Sequence, residues 1–273
     1  MFEPHLYAVF GSPVVHSRSP EIHRLFAEQT REDLMYTKQE VAPEEFTEVC
    51  REFFELGGSG LNITLPLKEL AFQFADSLTT RAKLAGAVNT LKLETNGSIL
   101  GDNTDGCGLV RDLTDNLRWQ LRGRRILVLG AGGAVRGVLG PLLEQNPYAI
   151  WIANRTVSKA EQLAEEFGAL GTVVGCGLDA LPGEIFDLII NGTSMSLHGE
   201  APPVTEAQIT AQTACYDMAY GNEPTAFLRW GRAQGLSELA DGLGMLVEQA
   251  AESFYLWRGV RPKTRPVIEL IRG

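Results

Sequence analysis

Residues 126–156 constrain the fold more than any other stretch of the chain. An apolar run, Ile126-Leu127-Val128-Leu129, leads into Gly130-Ala131-Gly132-Gly133-Ala134 and then a helical pattern. A second apolar run, Ile150-Trp151-Ile152-Ala153, ends in Asn154-Arg155-Thr156. Strand, glycine turn, helix and strand in this order predict a dinucleotide-binding βαβ unit. Gly130 permits a tight turn, and Gly132 lets the backbone approach a pyrophosphate at the helix N-terminus. Ala131, Gly133 and Ala134 complete the turn. At the tip of the second strand, a carboxylate would hydrogen-bond a free ribose 2′-hydroxyl. None is present. Arg155 lies between Asn154 and Thr156, with Ser158 and Lys159 close behind, and this set suits a 2′-phosphate. The sequence therefore favours NADP over NAD. Val135 stands where the third glycine of G-x-G-x-x-G would let helix and strand pack closely.

A chain of 273 residues is long enough for two cores. Its net charge of −10 argues against a nucleic-acid surface, which needs clustered Lys and Arg. The four cysteines are scattered without C-x-x-C spacing, and the four histidines form no ligand pattern, so neither a metal site nor a disulfide framework is expected. No apolar run reaches the roughly 20 residues of a membrane span. Met1-Phe2-Glu3-Pro4-His5 lacks the basic and apolar regions of a signal peptide. A cytoplasmic protein is expected, with no nucleic-acid or membrane partner, as a monomer or homodimer.

The rest of the chain alternates strands and helices. Leu6–Phe10, Tyr36–Val41 and Gly60–Leu65 read as strands. Pro20 opens a helix with Ser19 as its N-cap, and Phe46, Val49, Phe53 and Leu56 share one helical face. Asn96-Gly97 marks a hairpin between Ala87–Leu93 and Ser98–Leu100. Further strands are read at Asp187–Ile190 and Ala214–Tyr220, and helices at Gly106–Leu117, Ser158–Phe167, Pro224–Gln234 and from Gly244 to Trp257. The predicted fold is α/β. An N-terminal substrate domain with a mostly parallel sheet comprises residues 1–105 plus helices from about 240 to 273, and a Rossmann-like domain comprises 106–239. A cleft between the two would hold the active site. Gly101, Gly106, Gly242 and Gly244 are candidate hinges for its closure.

Polar residues cluster where the strands of the first domain end, which is where open α/β sheets bind ligands. Ser17 and Ser19 feed a helix N-terminus, a natural carboxylate site. Asn62 and Thr64 alternate on one strand, Lys68 follows Pro66, Asn89 lies in another strand, and Asp105 ends Gly101-Asp102-Asn103-Thr104-Asp105-Gly106. Taken singly, Lys68 reads as a surface lysine and Asp105 as a turn former.

Over essentially its full length the chain resembles the shikimate dehydrogenases. The resemblance is carried by Gly11-Ser12-Pro13, Ser17-Arg18-Ser19-Pro20, Asn62–Lys68, Ala85–Thr90, Gly101–Gly106, Gly130–Ala134, Asn154-Arg155-Thr156 and Asp241–Leu246. It implies NADPH-linked reduction of 3-dehydroshikimate to shikimate, on the route to chorismate and the aromatic amino acids. It implies further that Ser17 and Ser19 hold the substrate carboxylate near Tyr220. Thr64, Lys68, Asn89, Asp105 and Gln249 would surround the ring oxygens, with Asn62 beside them. Thr193, Met218 and Gly242 would border the cofactor. The chain departs from the family pattern at Val135, at Thr80, where an acidic residue is usual, and across Ser194–Gly199.

Reducing a ketone needs a hydride on carbon and a proton on oxygen. The cofactor brings the hydride. Lys68, protonated at neutral pH, is the expected proton donor, with Asp105 orienting it and a substrate hydroxyl. Two alternatives stand beside this reading. One is a paralogue acting on quinate or aminoshikimate. The other is a non-catalytic dinucleotide-binding sensor, which would have no need of Lys68 and Asp105.

Overall fold

The structure, a computed structural model, describes residues 5–273. The four residues before them, read above for a leader segment, lie outside the described residues. The chain divides into two compact α/β units. The first comprises the described residues through Gly108 together with Leu246–Gly273, and the second is Leu109–Met245.

The first unit contains β1 (His5–Gly11), α1 (Ser19–Thr30), β2 (Leu34–Glu40), α2 (Phe46–Glu55), β3 (Gly58–Ile63), α3 (Lys68–Phe74), β4 (Ser77–Leu78), α4 (Thr80–Ala85), β5 (Thr90–Leu93) and β6 (Ile99–Asp102). Its six strands run in the order β2-β1-β3-β5-β6-β4. Strand β5 alone is antiparallel to its neighbours, pairing Asn62 with Thr90 on one side and Thr90 with Asp102 on the other. Reversal of this one strand brings its first residue to the edge where β3 and β6 end. Tyr7, Ala8, Val9 and Phe10 are all buried, so β1 reads as a continuous apolar run because both of its faces are covered. Ala8, Phe10, Leu61 and Ile63 pack on Phe46, Cys50 and Leu67. Full burial of a side chain the size of Phe10 is worth roughly 1.5–3 kcal/mol.

α5 (Asp105–Arg111) leads out of β6 and continues as a π turn over Asp112–Asn116. The second unit holds β7 (Arg125–Leu129), α6 (Gly133–Glu144), β8 (Ala149–Asn154), α7 (Val157–Phe167), β9 (Val173–Gly177), β10 (Leu188–Asn191), β11 (Ala214–Asp217), α8 (Ala226–Ala233) and β12 (Leu239–Asp241). Its sheet is wholly parallel, in the order β12-β11-β10-β7-β8-β9. Counted within the unit this is the doubly wound 3-2-1-4-5-6 arrangement, which reverses between β7 and β10. α9 (Leu243–Arg258) and α10 (Arg265–Arg272) complete the chain. Trp257 of α9 stacks on Tyr7 with ring centroids 4.6 Å apart, covering the second face of β1.

Several sequence expectations need correction. Ser19 is the first helical residue of α1 and not its cap; Arg18 holds the cap position without a side-chain bond, and the Ser17 hydroxyl accepts the Ser19 N–H at 3.3 Å. Leu56 lies beyond the end of α2 and is 75% exposed, so the apolar face closes with Phe53. Strand β11 stops at Asp217, short of Tyr220. Strands β4, β9 and β12 and helix α4 are additional to the expected elements. Three of the glycines named above as candidate hinges have no room for a side chain. A β-carbon on Gly242 would stand 2.2 Å from the Met218 carbonyl oxygen, and one on Gly244 would stand 1.9 Å from Asp112 Oδ1. At Gly101 it would meet Ala75 and Val88 at 2.8 Å.

Candidate active site

Strand β3 ends at Ile63 and the chain turns at once, with the Leu67 N–H donating to the Thr64 carbonyl at 3.0 Å. The turn delivers Lys68 as the first residue of α3. Across the sheet edge, β6 ends at Asp102 and Asp105 opens α5. Lys68 Nζ donates to Asp105 Oδ2 at 2.5 Å, with side-chain exposures of 23% and 13%. A charge-assisted bond in so dry a setting is stronger than its surface counterpart.

Asn89 holds this pair in place. It immediately precedes β5 and is buried. Its Nδ2 donates to Asp105 Oδ1 at 2.8 Å and to Thr104 Oγ1 at 2.9 Å, and its Oδ1 accepts the Thr104 N–H at 2.9 Å and the Thr90 hydroxyl at 2.8 Å. The Asp105 N–H is taken by Asn103 Oδ1 at 3.1 Å. Gln249, on α9, reaches the same group: its Oε1 lies 3.4 Å from both Asn89 Nδ2 and Thr104 Oγ1. Lys68, Asn89, Asp105 and Gln249 therefore form one connected cluster within the first unit.

Asn62 is placed differently from its neighbour Thr64. Asn62 is buried, and its Nδ2 donates to the Asn89 carbonyl, Thr90 Oγ1 and Ser253 Oγ at 3.2, 3.2 and 3.0 Å, while its Oδ1 accepts from Tyr36 at 2.7 Å. Its polar atoms are thus committed to the protein, and the geometry makes it a support for Asn89. Thr64 is half-buried with its Cγ2 2.3 Å from where a Gly11 β-carbon would stand, and its hydroxyl has no bonded partner among the described residues. Ser17 lies in the loop after β1 and Ser19 opens α1, so both follow the strand at the point where the first sheet reverses, between β1 and β3.

Supports that local sequence patterns did not reveal include Tyr36, Thr90, Thr104, Ser253 and Arg81. Arg81 pairs with both carboxylate oxygens of the buried Asp102 at 2.7 and 2.5 Å and with Glu252 at 3.1 Å. These bonds hold its guanidinium above its ordinary range despite the cost of burial. The residue beside it, Thr80, is where the sequence departs from the family pattern. The hydroxyl of Thr79 caps α4 by accepting the Ala82 N–H at 3.2 Å.

In the second unit the glycine turn sits at the reversal between β7 and β10. Gly130 has φ of +104°, a conformation that side chains resist. A β-carbon on Gly132 or Gly133 would meet nothing within 4 Å, which leaves open space before the N-terminus of α6. Helix α6 has no side-chain cap and no acidic residue in its first turn. Ala131 and Ala134 border the same opening in sequence. Val135 is buried, and the room a glycine would have given there is supplied by Gly192, whose β-carbon would stand 2.5 Å from Val135 Cγ2. Thr193 donates to Asn191 Oδ1 at 2.7 Å. Met218, half-buried, packs by its sulfur against Gly192 and by its carbonyl against Gly242. At the tip of β8, Asn154 Nδ2 bonds the Thr156 carbonyl at 2.9 Å, and Arg155, Thr156, Ser158 and Lys159 are exposed. Arg155 has no ion-pair partner among the described residues. Open backbone donors at a helix start and an uncommitted guanidinium at the next strand tip fit a dinucleotide with a 2′-phosphate. Tyr220 lies beyond β11 in this unit and is 41% exposed. Among the described residues, no cluster of His, Cys, Asp or Glu could hold a metal, and no helix is long and apolar enough to cross a membrane.

A doubly wound parallel sheet with a glycine turn at its reversal, joined in one chain to an α/β unit bearing a lysine–aspartate pair, defines a dinucleotide-dependent oxidoreductase. Comparison with known proteins identifies which kind. Residues 9–91 match the shikimate dehydrogenase substrate binding domain, 112–206 match shikimate / quinate 5-dehydrogenase, and 242–272 match the shikimate 5'-dehydrogenase C-terminal domain. The shikimate dehydrogenase (NADP(+)) of Methylococcus capsulatus is 59% identical over 273 residues, covering 100% of this chain and 98% of that protein. The shikimate dehydrogenase (NADP(+)) of Cellvibrio japonicus is 58% identical over 267 residues, covering 98% and 96%. Among solved structures, an Ael1 enzyme from Pseudomonas putida superposes with a TM-score of 0.89 at 46% identity, covering 97% of each chain. The Thermus thermophilus shikimate 5-dehydrogenase in complex with NADP(H) and shikimate gives 0.87 at 34%, covering 98% of each. The chain belongs to the NADP-dependent shikimate dehydrogenase family.

Proposed function

We propose that this protein catalyses the reversible reduction of 3-dehydroshikimate to shikimate with NADPH, in the pathway to chorismate and the aromatic amino acids. The observation that carries this reading is the Lys68–Asp105 pair, held by Asn89 at the ligand-binding edge of the first sheet. The names of the relatives, all NADP-dependent shikimate dehydrogenases, supply the substrate and cofactor. They do not favour the quinate or aminoshikimate alternative.

NADPH supplies the hydride when bound. The Lys68 ammonium polarises the substrate carbonyl and gives its proton to the oxygen as the alkoxide forms. Asp105 fixes the direction of that ammonium, and Asn89 fixes Asp105, so the donor does not have to be ordered during the reaction. Ser17 and Ser19 donate to the substrate carboxylate. Thr64 offers its uncommitted hydroxyl to a ring oxygen, Gln249 borders the ring, and Tyr220 is assigned a share in binding the carboxylate. Asn154, Arg155, Thr156, Ser158 and Lys159 receive the 2′-phosphate, and Gly130–Ala134 receive the pyrophosphate. Thr193, Met218 and Gly242 border the nicotinamide. In the oxidative direction the same residue takes the proton back from the substrate hydroxyl.

We also place the protein in the cytoplasm, in keeping with its four free cysteines. Steady-state rates with shikimate and quinate, each with NADP and NAD, test the reading. Efficient turnover of shikimate with NADP is expected. Turnover only of quinate, or none with any pair, would overturn it.

A further inference from the structure

Thr193, Met218 and Gly242, assigned above to the nicotinamide end of the cofactor, follow the ends of three neighbouring strands. Strand β10 ends at Asn191, β11 at Asp217 and β12 at Asp241, and the register pairs Asn191 with Asp217 and Asp217 with Asp241. Asp217, on the middle strand, has no exposed surface. Its Oδ2 accepts the Ser196 and Thr225 hydroxyls, each at 2.6 Å, and its Oδ1 accepts the Ala219 N–H at 3.1 Å and Asn191 Nδ2 at 3.2 Å.

Each of the three bordering residues is tied to this carboxylate through one intermediate. Asn191 Oδ1 accepts both the N–H and the hydroxyl of Thr193, at 3.1 and 2.7 Å, while its Nδ2 serves Asp217 and, at 3.1 Å, Ser196 Oγ. Met218 lies between Asp217 and Ala219, and its N–H donates to the Asn191 carbonyl at 2.9 Å. The Ala219 carbonyl accepts the Gly242 N–H at 3.1 Å. Thr225, whose Oγ1 also accepts the Leu228 N–H at 3.3 Å, anchors the carboxylate to the start of α8. Ser196 belongs to the stretch 194–199, where the chain departs from the family pattern. A carboxylate has about four acceptor positions, and here all of them meet donors. An asparagine of the same shape would turn an amino group toward two of those donors. A buried polar network that is fully satisfied is rigid, and one left half-satisfied is not.

We propose that Asp217 is a positioning residue for the nicotinamide, an inference resting on the function proposed above. Its carboxylate holds the segments carrying Thr193, Met218 and Gly242 at a preset spacing, so the ring meets walls that are already ordered when it arrives. Asp217 touches neither cofactor nor substrate. It acts on hydride transfer through the orientation of the ring, and it leaves the binding of the adenosine end, assigned to the glycine turn and the tip of β8, to other residues.

The test reads two quantities in wild type, Asp217→Asn and Ser196→Ala. One is kcat at saturating shikimate and NADP. The other is the affinity for 2′-phospho-ADP-ribose, which is NADP without its nicotinamide. For Asp217→Asn, kcat should fall by about tenfold or more, the size of one hydrogen bond to a charged group, while affinity for the analogue and KM for shikimate stay within about twofold. Ser196→Ala keeps the carboxylate and removes one donor, so the same split is expected at about threefold in kcat. Should Asp217→Asn fail to fold, Ser196→Ala decides by the same two readings. A kcat within about twofold of wild type, or kcat and analogue affinity falling together, would overturn the inference and leave the function intact. Wild-type protein inactive on shikimate with NADP would overturn the function and the inference together.

Discussion

Val135 and Gly192 share a single volume. The valine Cγ2 lies 2.5 Å from the place a β-carbon on residue 192 would occupy. Close packing of helix on strand, which a dinucleotide fold usually secures with a third glycine on the helix, is secured here from the end of β10.

Gly192→Ala should therefore destabilise the protein by about 1–3 kcal/mol through overpacking. Val135→Ala in the same chain should restore part of that loss, because it vacates the contested space. Urea unfolding of the two single variants and the double variant measures the coupling. Additive effects would show that the two residues do not compete.

Lys68→Ala should lower kcat by about 10²–10⁴-fold, the range for a positioned proton donor. Binding of NADP, assigned above to residues of the second unit, should be unchanged by calorimetry. Turnover within a few-fold of wild type would move the donor elsewhere.

Arg155→Ala should weaken NADP selectively. A hydrogen bond to a charged group is worth roughly 1.5–3 kcal/mol, or about ten- to a hundredfold in affinity. NAD binding should be nearly unaffected, since it has no 2′-phosphate to lose. Thr156→Glu should shift preference further toward NAD, by repelling phosphate and accepting from the ribose hydroxyl. The ratio of kcat/KM for the two cofactors reads both effects. A ratio unmoved in either variant would show that the tip of β8 does not select the cofactor.

His23 gives the stability a pH dependence of known sign. In the folded protein burial lowers its pKa from 6.5 to about 3. Below about pH 6.5 the unfolded chain takes up a proton that the folded one refuses, so stability falls as pH falls toward about 3, with a slope approaching 1.4 kcal/mol per pH unit. Above 6.5 the residue has no such effect. His23→Phe keeps an aromatic ring and removes this contribution. Urea midpoints from pH 7 to 4 should fall less steeply for the variant than for wild type. Parallel curves would mean that His23 is charged or solvated in the native state.

The glycine turn, the strand tip at Arg155 and the strand-end residues Lys68 and Asp105 were legible because each is written in a few consecutive residues. Local patterns also carry the hairpin at Asn96-Gly97, seen as the antiparallel pair β5–β6. What supports the site was not legible. Asn62 meets Ser253 across 191 residues, and Arg81 meets Glu252 across 171. Nothing in the neighbourhood of either partner announces the other. Asn62 and Thr64 share a strand face in sequence, yet one is enclosed by α9 and the other lies past the strand end. Leu56 misled because helical spacing continues in the sequence after the helix itself has stopped.

The reversed strand β5 has a consequence for how this chain can change. Because Asn89 stands at the base of a hairpin whose turn, Asn96-Gly97, points to the opposite edge of the sheet, growth of the hairpin occurs on the side remote from the chemistry. Gly97 has φ of +86° and nothing within 4 Å of where a β-carbon would stand. Insertions at this tip extend into solvent and leave the register of Thr90 with Asn62 and Asp102 untouched. The same insertion between Asp102 and Asp105 would carry the carboxylate away from Lys68. Within one short hairpin, the chain has one end that evolution or an engineer can lengthen freely and another where a single added residue is costly.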